Sequence, residues 1–176
     1  MNLPNKLTLL RVLMIPVCLV LLYARRDTAA AVFFALACLT DFLDGYIARK
    51  NGIVTNFGKF ADPVADKILV ATVMVMLLYQ GRFPWWALCI VVARELAVDG
   101  LRLVAVEKGI VIAAGKLGKW KTVLQMAGVL AAMLSAPSAL VTVLAAVLSL
   151  LTVVSGLQYF YEGREVLRVN DHNAPA

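Results

Sequence analysis

Six apolar blocks, each about the length needed to cross a bilayer, constrain this chain more than anything else in it. They run from Leu7 to Ala24, Ala29 to Ala48, Asp62 to Tyr79, Pro84 to Val106, Gly118 to Leu134 and Ser138 to Tyr161. A helix needs roughly 20 apolar residues to traverse the hydrocarbon core. The blocks are continuous rather than short and alternating, which argues against a transmembrane barrel. Composition agrees: 62% of the 176 residues are hydrophobic and 16% charged, against about 45–50% and about 25% in a soluble domain. The expected fold class is all-α integral membrane, with six transmembrane helices in a single domain, 1–165. A short polar tail, 166–176, ends in "NDHNAPA" and is expected to be disordered. No small-residue cleavage site follows the first block, so it is expected to be retained as a span.

The net charge of +6 would hint at nucleic acid in a soluble protein. Here most basic residues lie between apolar blocks, where topology signals and lipid-phosphate contacts belong, so no nucleic-acid partner is expected. With the N-terminus inside, the inner segments hold Lys6, Arg11, Arg49, Lys50, Lys59, Lys108, Lys116, Lys119, Lys121, Arg164 and Arg168, and the outer loops only Arg25, Arg26 and Arg82. Eleven against three predicts both termini in the cytoplasm of a multi-pass protein of the cell's inner (cytoplasmic) membrane. Cys18, Cys38 and Cys89 lack metal-ligand spacing and read as small core residues. The one histidine, His172, lies in the tail, which excludes a histidine-dependent phosphotransfer scheme.

Against this apolar background stand Asp41, Asp44, Asp62 and Asp66. Asp41 and Asp44 are spaced i,i+3 near the inner end of the second span. Asp62 and Asp66 are spaced i,i+4 at the inner start of the third. Each pair shares a helix face, and a short connection places the two helices antiparallel and side by side, so four carboxylates meet at one depth. Like charges at a membrane edge need compensation. Carboxylate oxygens suit one or two hard divalent cations, Mg²⁺ or Mn²⁺. Simpler roles exist for each residue singly: Asp62 before Pro63 as a helix N-cap, Asp44-Gly45 as a turn, Asp41 or Asp66 paired with Arg49 or Lys67. Those roles do not account for two same-face pairs on adjoining helices.

The pattern Asp41-x-x-Asp44-Gly45-x-x-Ala48-Arg49, eight residues, Gly58-x-x-x-Asp62-x-x-x-Asp66 resembles the signature of the CDP-alcohol phosphotransferase family at every defining position. The resemblance implies a six-helix membrane enzyme, usually a homodimer, with its active site at the cytoplasmic interface. Such an enzyme moves a phosphate-containing group from a CDP-linked donor to an alcohol and releases CMP. It also implies roles. Asp41, Asp44 and Asp62 would hold a two-metal site, and Asp66 would complete the metal shell and act as general base. Gly45, Arg49, Thr55 and Gly58 would line the CDP-lipid pocket, and Asn5 and Thr8 would help close it.

The second half of the chain bears on the acceptor. "VVARELAVDGLRLVAVEKG" sets Arg94 and Arg102 in or near the fourth span, and "GKLGKWKTVLQM" brings Lys116, Lys119 and Lys121 to the inner start of the fifth. An intramembrane arginine is a functional candidate by default, here as a ligand for an acceptor phosphate. The structural alternative pairs Arg94 with Glu95 and Arg102 with Asp99. "AREL" and "GKWKTVLQM" are similar to the phosphatidylglycerophosphate synthase branch of the family. That similarity implies CDP-diacylglycerol as donor and sn-glycerol 3-phosphate as acceptor. An acceptor such as inositol phosphate or serine is the alternative within the family. An ion-coupled transporter is the alternative outside it, disfavoured because the charges cluster at one interface and no inverted repeat is present.

Overall fold

The computed structural model describes residues 3–51, 56–110 and 115–164, with the side chains of 3–8, 41–51, 56–61 and 116 outside the described set. Those residues form six α-helices and no strand: α1 Leu3–Tyr23, α2 Asp27–Asn51, α3 Asn56–Tyr79, α4 Trp85–Glu107, α5 Lys116–Met133 and α6 Ser138–Glu162. Every expected apolar block is one of these helices. The helices reach beyond the blocks mainly at the end that carries the aspartates. The expected polar tail, 166–176, lies outside the described residues.

At the opposite end three short connections close the bundle by the same device. Each helix stops on a residue with positive φ: Arg25 (57°), Gly81 (70°) and Ser135 (57°). Paired backbone bonds, such as Arg82 N–H to Leu77 O and Gly81 N–H to Leu78 O, satisfy the last carbonyls. Pro84 and Pro137 then start α4 and α6, where a missing N–H costs nothing. Arg82 ties these turns together. Its guanidinium forms an ion pair with Asp27, 2.9 Å from Oδ1, and donates to Gln80 Oε1 at 3.2 Å, Ser135 Oγ at 2.7 Å and the Met133 carbonyl. Arg82→Ala is expected to destabilise the fold by about 2 kcal/mol through loss of charge-assisted bonds. The result should be a lower thermal midpoint in detergent and unchanged KM values.

The dry core fills this same end. Leu22, Phe34, Met74, Leu77, Ala87, Val129, Met133 and Ala145 are fully or almost fully buried. The outer surface is inverted relative to a soluble protein. Leu13, Val20, Leu103, Val143, Leu150 and Leu157 are exposed, and exposed aromatics mark both ends: Tyr23, Tyr79 and Trp85 at one, Trp120 and Tyr161 at the other. Aromatic girdles around an apolar band are the surface of a membrane protein. Among the described residues α6 is long and apolar enough by itself to span, with mean hydropathy 2.4; its 25 residues rise about 37 Å. Among the described residues α1 and α2 contribute the apolar stretches Leu9–Tyr23 and Asp27–Thr40.

Several expectations need correction. α3 starts at Asn56, so Pro63 lies inside it and Asp62 is no N-cap. A proline is tolerated inside a membrane helix where neighbours satisfy the freed carbonyl. Asp44-Gly45 is helical rather than a turn. Among the described residues α2 and α3 meet only narrowly, and each packs chiefly on α1, which serves both as a common spine. Cys18 is buried, its thiol donating to the Ala30 carbonyl at 3.7 Å. Cys38 is half-buried, but Cys89 is exposed on the outer face of α4 and is not a core residue. Arg11, counted above as a topology signal, is fully buried within α1's packing face.

Candidate active site

The up-and-down order brings the N-terminal ends of α1, α3 and α5 together with the C-terminal ends of α2, α4 and α6. Asp41 and Asp44 therefore lie on the last turns of α2, and Asp62 and Asp66 on the first turns of α3, at one end of the bundle. Asp62 and Asp66 stand one helical turn apart and are half-buried. Gly45 and Arg49 follow on α2, Gly58 opens α3, and Asn5 and Thr8 belong to the first turns of α1. Their side-chain placements, like those of Asp41, Asp44 and Lys116, lie outside the described set, and Thr55 lies outside the described residues altogether. Among the described residues no group of three or more potential metal ligands converges; only the α3 half of the aspartate quartet is described at side-chain level.

Next to Asp66 the bundle opens. α4 packs along α6 rather than along α3 or α5, and the space left between these helices is a cavity of about 440 Å³. Asp66 and Lys67 of α3 line it, with Arg94, Glu95, Asp99 and Arg102 of α4, Lys119 and Lys121 of α5, and Tyr159 of α6. Arg94, Arg102, Lys119 and Lys121, four of the five basic residues expected to hold an acceptor phosphate, thus meet Asp66 around one void. The fit is close at Arg94: a Cβ on Gly156 of α6 would come within 3.2 Å of its Cγ, so the glycine leaves the arginine stem its path.

The charges in the cavity are already organised. Lys121, only 4% exposed, donates to Glu95 Oε1. Lys67 lies 3.3 Å from Glu95 Oε2 and also donates to both oxygens of Asp99. Arg94 Nη1 is 3.4 Å from Glu95 Oε1. Arg102 Nε donates to the Tyr159 hydroxyl at 2.9 Å, and its guanidinium lies 5.3 Å from the ring centroid, a cation–π geometry. Of the structural pairings raised from sequence, Arg94 with Glu95 is present. Arg102 with Asp99 is not, because Lys67 takes Asp99 and Tyr159 takes Arg102. Lys67 likewise turns to α4 rather than to its neighbour Asp66. Lys67 and Glu95 were not expected in the site, and Asp99 was raised there without a settled role. Each is a charge inside an apolar block, which is the signal that marks them.

Comparison with known proteins places this arrangement. The family model for CDP-alcohol phosphatidyltransferase matches residues 1–155. A Bacillus subtilis CDP-diacylglycerol–glycerol-3-phosphate 3-phosphatidyltransferase is 41% identical, the match covering 97% of this chain and 99% of the relative. A probable phosphatidylglycerophosphate synthase of Mycobacterium tuberculosis is 44% identical over 90% of this chain and 79% of its own length. A Rickettsia typhi CDP-diacylglycerol–glycerol-3-phosphate 3-phosphatidyltransferase is 44% identical over 71% of this chain and 72% of its own. With its aspartate-bearing helix ends, six-helix bundle and family match over residues 1–155, the chain belongs to the CDP-alcohol phosphatidyltransferase family.

Proposed function

We propose that this protein transfers the phosphatidyl group of CDP-diacylglycerol to sn-glycerol 3-phosphate, giving phosphatidylglycerophosphate and CMP in phospholipid biosynthesis. The observation that carries the reading is the single cavity in which Asp66 faces Arg94, Arg102, Lys119 and Lys121. An acceptor with both a hydroxyl and a phosphate matches that pairing of a base with cations. Inositol phosphate shares the chemistry, and serine lacks the phosphate that the cations would hold. The names of the relatives point to glycerol 3-phosphate.

In this reading the primary hydroxyl of the acceptor attacks the phosphorus attached to diacylglycerol. The bond from that phosphorus to the CMP oxygen breaks, and the hydroxyl proton passes to Asp66. A carboxylate within hydrogen-bond reach assists an otherwise weak nucleophile. Arg94, Arg102, Lys119, Lys121 and Lys116 hold the acceptor phosphate, and Gly45, Arg49, Thr55, Gly58, Asn5 and Thr8 surround the CDP moiety. The donor set of Asp41, Asp44, Asp62 and Asp66 is all hard oxygen, with Asp62 and Asp66 one turn apart on α3, and suits Mg²⁺ or Mn²⁺ in one or two sites. When bound, such ions would neutralise the pyrophosphate and the departing CMP. Direct displacement needs no covalent intermediate on an aspartate.

Basic residues on the connections at the cavity end favour a multi-pass topology with that end and both termini in the cytoplasm of the inner membrane. The lipid tails then stay in the bilayer while the headgroup reaches Asp66 from the interface. We include a homodimer in the proposal, as the family resemblance implies. The buried cluster toward the opposite end is apolar among the described residues, which disfavours a carrier.

The test is CMP release from CDP-diacylglycerol by the purified chain in detergent, with Mg²⁺ or Mn²⁺ and with glycerol 3-phosphate, inositol phosphate or serine in turn. Metal-dependent release with glycerol 3-phosphate alone is the expected result. Preference for another acceptor would overturn the reading of the basic cavity and leave the aspartate argument standing.

A further inference from the structure

The five cations expected around the acceptor do not include Lys67, which shares their cavity with the carboxylates Glu95 and Asp99 of α4. Glu95 projects from α4 between α3 and α5. One of its oxygens accepts from Lys121 and lies 3.4 Å from Arg94, and the other lies 3.3 Å from Lys67. Asp99, one turn further along α4, takes a second hold on Lys67. A single carboxylate thus gathers cations from three helices that hardly touch one another at this depth. Without it, Lys67, Arg94 and Lys121 would repel across a partly desolvated space, and the flexible lysine stems would have other rotamers open to them.

We propose that Glu95 is the positioning residue of the acceptor pocket, holding Lys121, Arg94 and Lys67 in one anion-binding array, and that Lys67 is thereby a further cation of that pocket. The inference rests on the reading of the cavity as the acceptor site. The arrangement is preorganised, so an entering phosphate meets fixed donors instead of ordering them, which is how such arrays improve affinity. Each ammonium has three donors, so a lysine bonded to Glu95 keeps others for a ligand.

Glu95→Gln keeps the volume and removes the charge. Its KM for glycerol 3-phosphate is expected to rise about tenfold, equivalent to the loss of about 1.4 kcal/mol of binding. Its KM for CDP-diacylglycerol and its kcat should stay within about threefold, and Glu95→Asp should recover part of the loss. A merely structural role would lower the thermal midpoint and disturb both substrates alike, overturning the proposal. A lower KM for glycerol 3-phosphate in Glu95→Gln would also overturn it, because the carboxylate would then be a competitor of the phosphate. The rise in thermal midpoint on adding inorganic phosphate is read on the same proteins without turnover. Its presence in wild type and loss in Glu95→Gln supports the array even if the assay shows that the preferred acceptor is not glycerol 3-phosphate. An equal rise in both proteins overturns it.

Discussion

Asp66→Asn is expected to lower the rate of CMP release by about 10³-fold while leaving the protein folded, since general-base assistance contributes roughly 10²–10⁴-fold. Asparagine matches the aspartate in size and occupies the same half-buried position on α3, but its amide cannot take the proton of an attacking hydroxyl. A 10³-fold loss corresponds to about 4 kcal/mol of transition-state stabilisation. The effect should fall on kcat, with the glycerol 3-phosphate KM changed little, because most cations that hold the phosphate belong to α4 and α5 and Lys67 of α3 is held by Glu95 and Asp99. Raising Mg²⁺ or Mn²⁺ separates the two duties given to this residue. Recovery of most of the rate at high metal would show that Asp66 acts chiefly as a ligand, and persistence of the loss would show that it acts as the base. Activity within tenfold of wild type at ordinary metal concentration would remove Asp66 from the chemistry altogether.

The helices were legible because the bilayer imposes length and continuity on them. Each apolar block is interrupted where the chain must turn, and α4 and α6 begin next to the prolines that interrupt it. The aspartate spacing was legible for a similar reason: i,i+3 and i,i+4 relations are properties of one helix and need no knowledge of its neighbours. What could not be read is which helix face meets which. Lys67 and Asp99 are 32 residues apart, and Arg82 and Ser135 53 apart, so their pairing depends on helix rotation and on α1 standing against both α2 and α3. The local pairing of Arg102 with Asp99 was the structural alternative that i,i+3 spacing offered. It lost to a partner on α6 that lies nowhere near it in the chain. Arg11 reads as a cytoplasmic topology residue from its position near the N-terminus, yet it is buried, because α1 extends through the site end of the bundle instead of starting beyond it.

Arg94→Ala is the second large effect. Loss of one charge-assisted contact to a phosphate is worth about 1.5–3 kcal/mol, so the KM for glycerol 3-phosphate should rise roughly 10- to 150-fold. The KM for CDP-diacylglycerol should move less than threefold. Arg94 suits this test better than Lys121, whose removal takes from Glu95 the partner to which it is most directly bonded. After Arg94→Ala, Glu95 still holds Lys121 and Lys67, so no buried carboxylate is stranded and folding should survive. Arg94→Lys should recover little, because a point charge does not reproduce a planar fork and the arginine stem follows the path left open by Gly156. Equal increases in both KM values would mean that Arg94 shapes the whole cavity rather than holding the acceptor. An unchanged glycerol 3-phosphate KM would move the phosphate toward Arg102 and Lys119, at the open end of the same void, and would require the acceptor to lie nearer Tyr159 than Glu95.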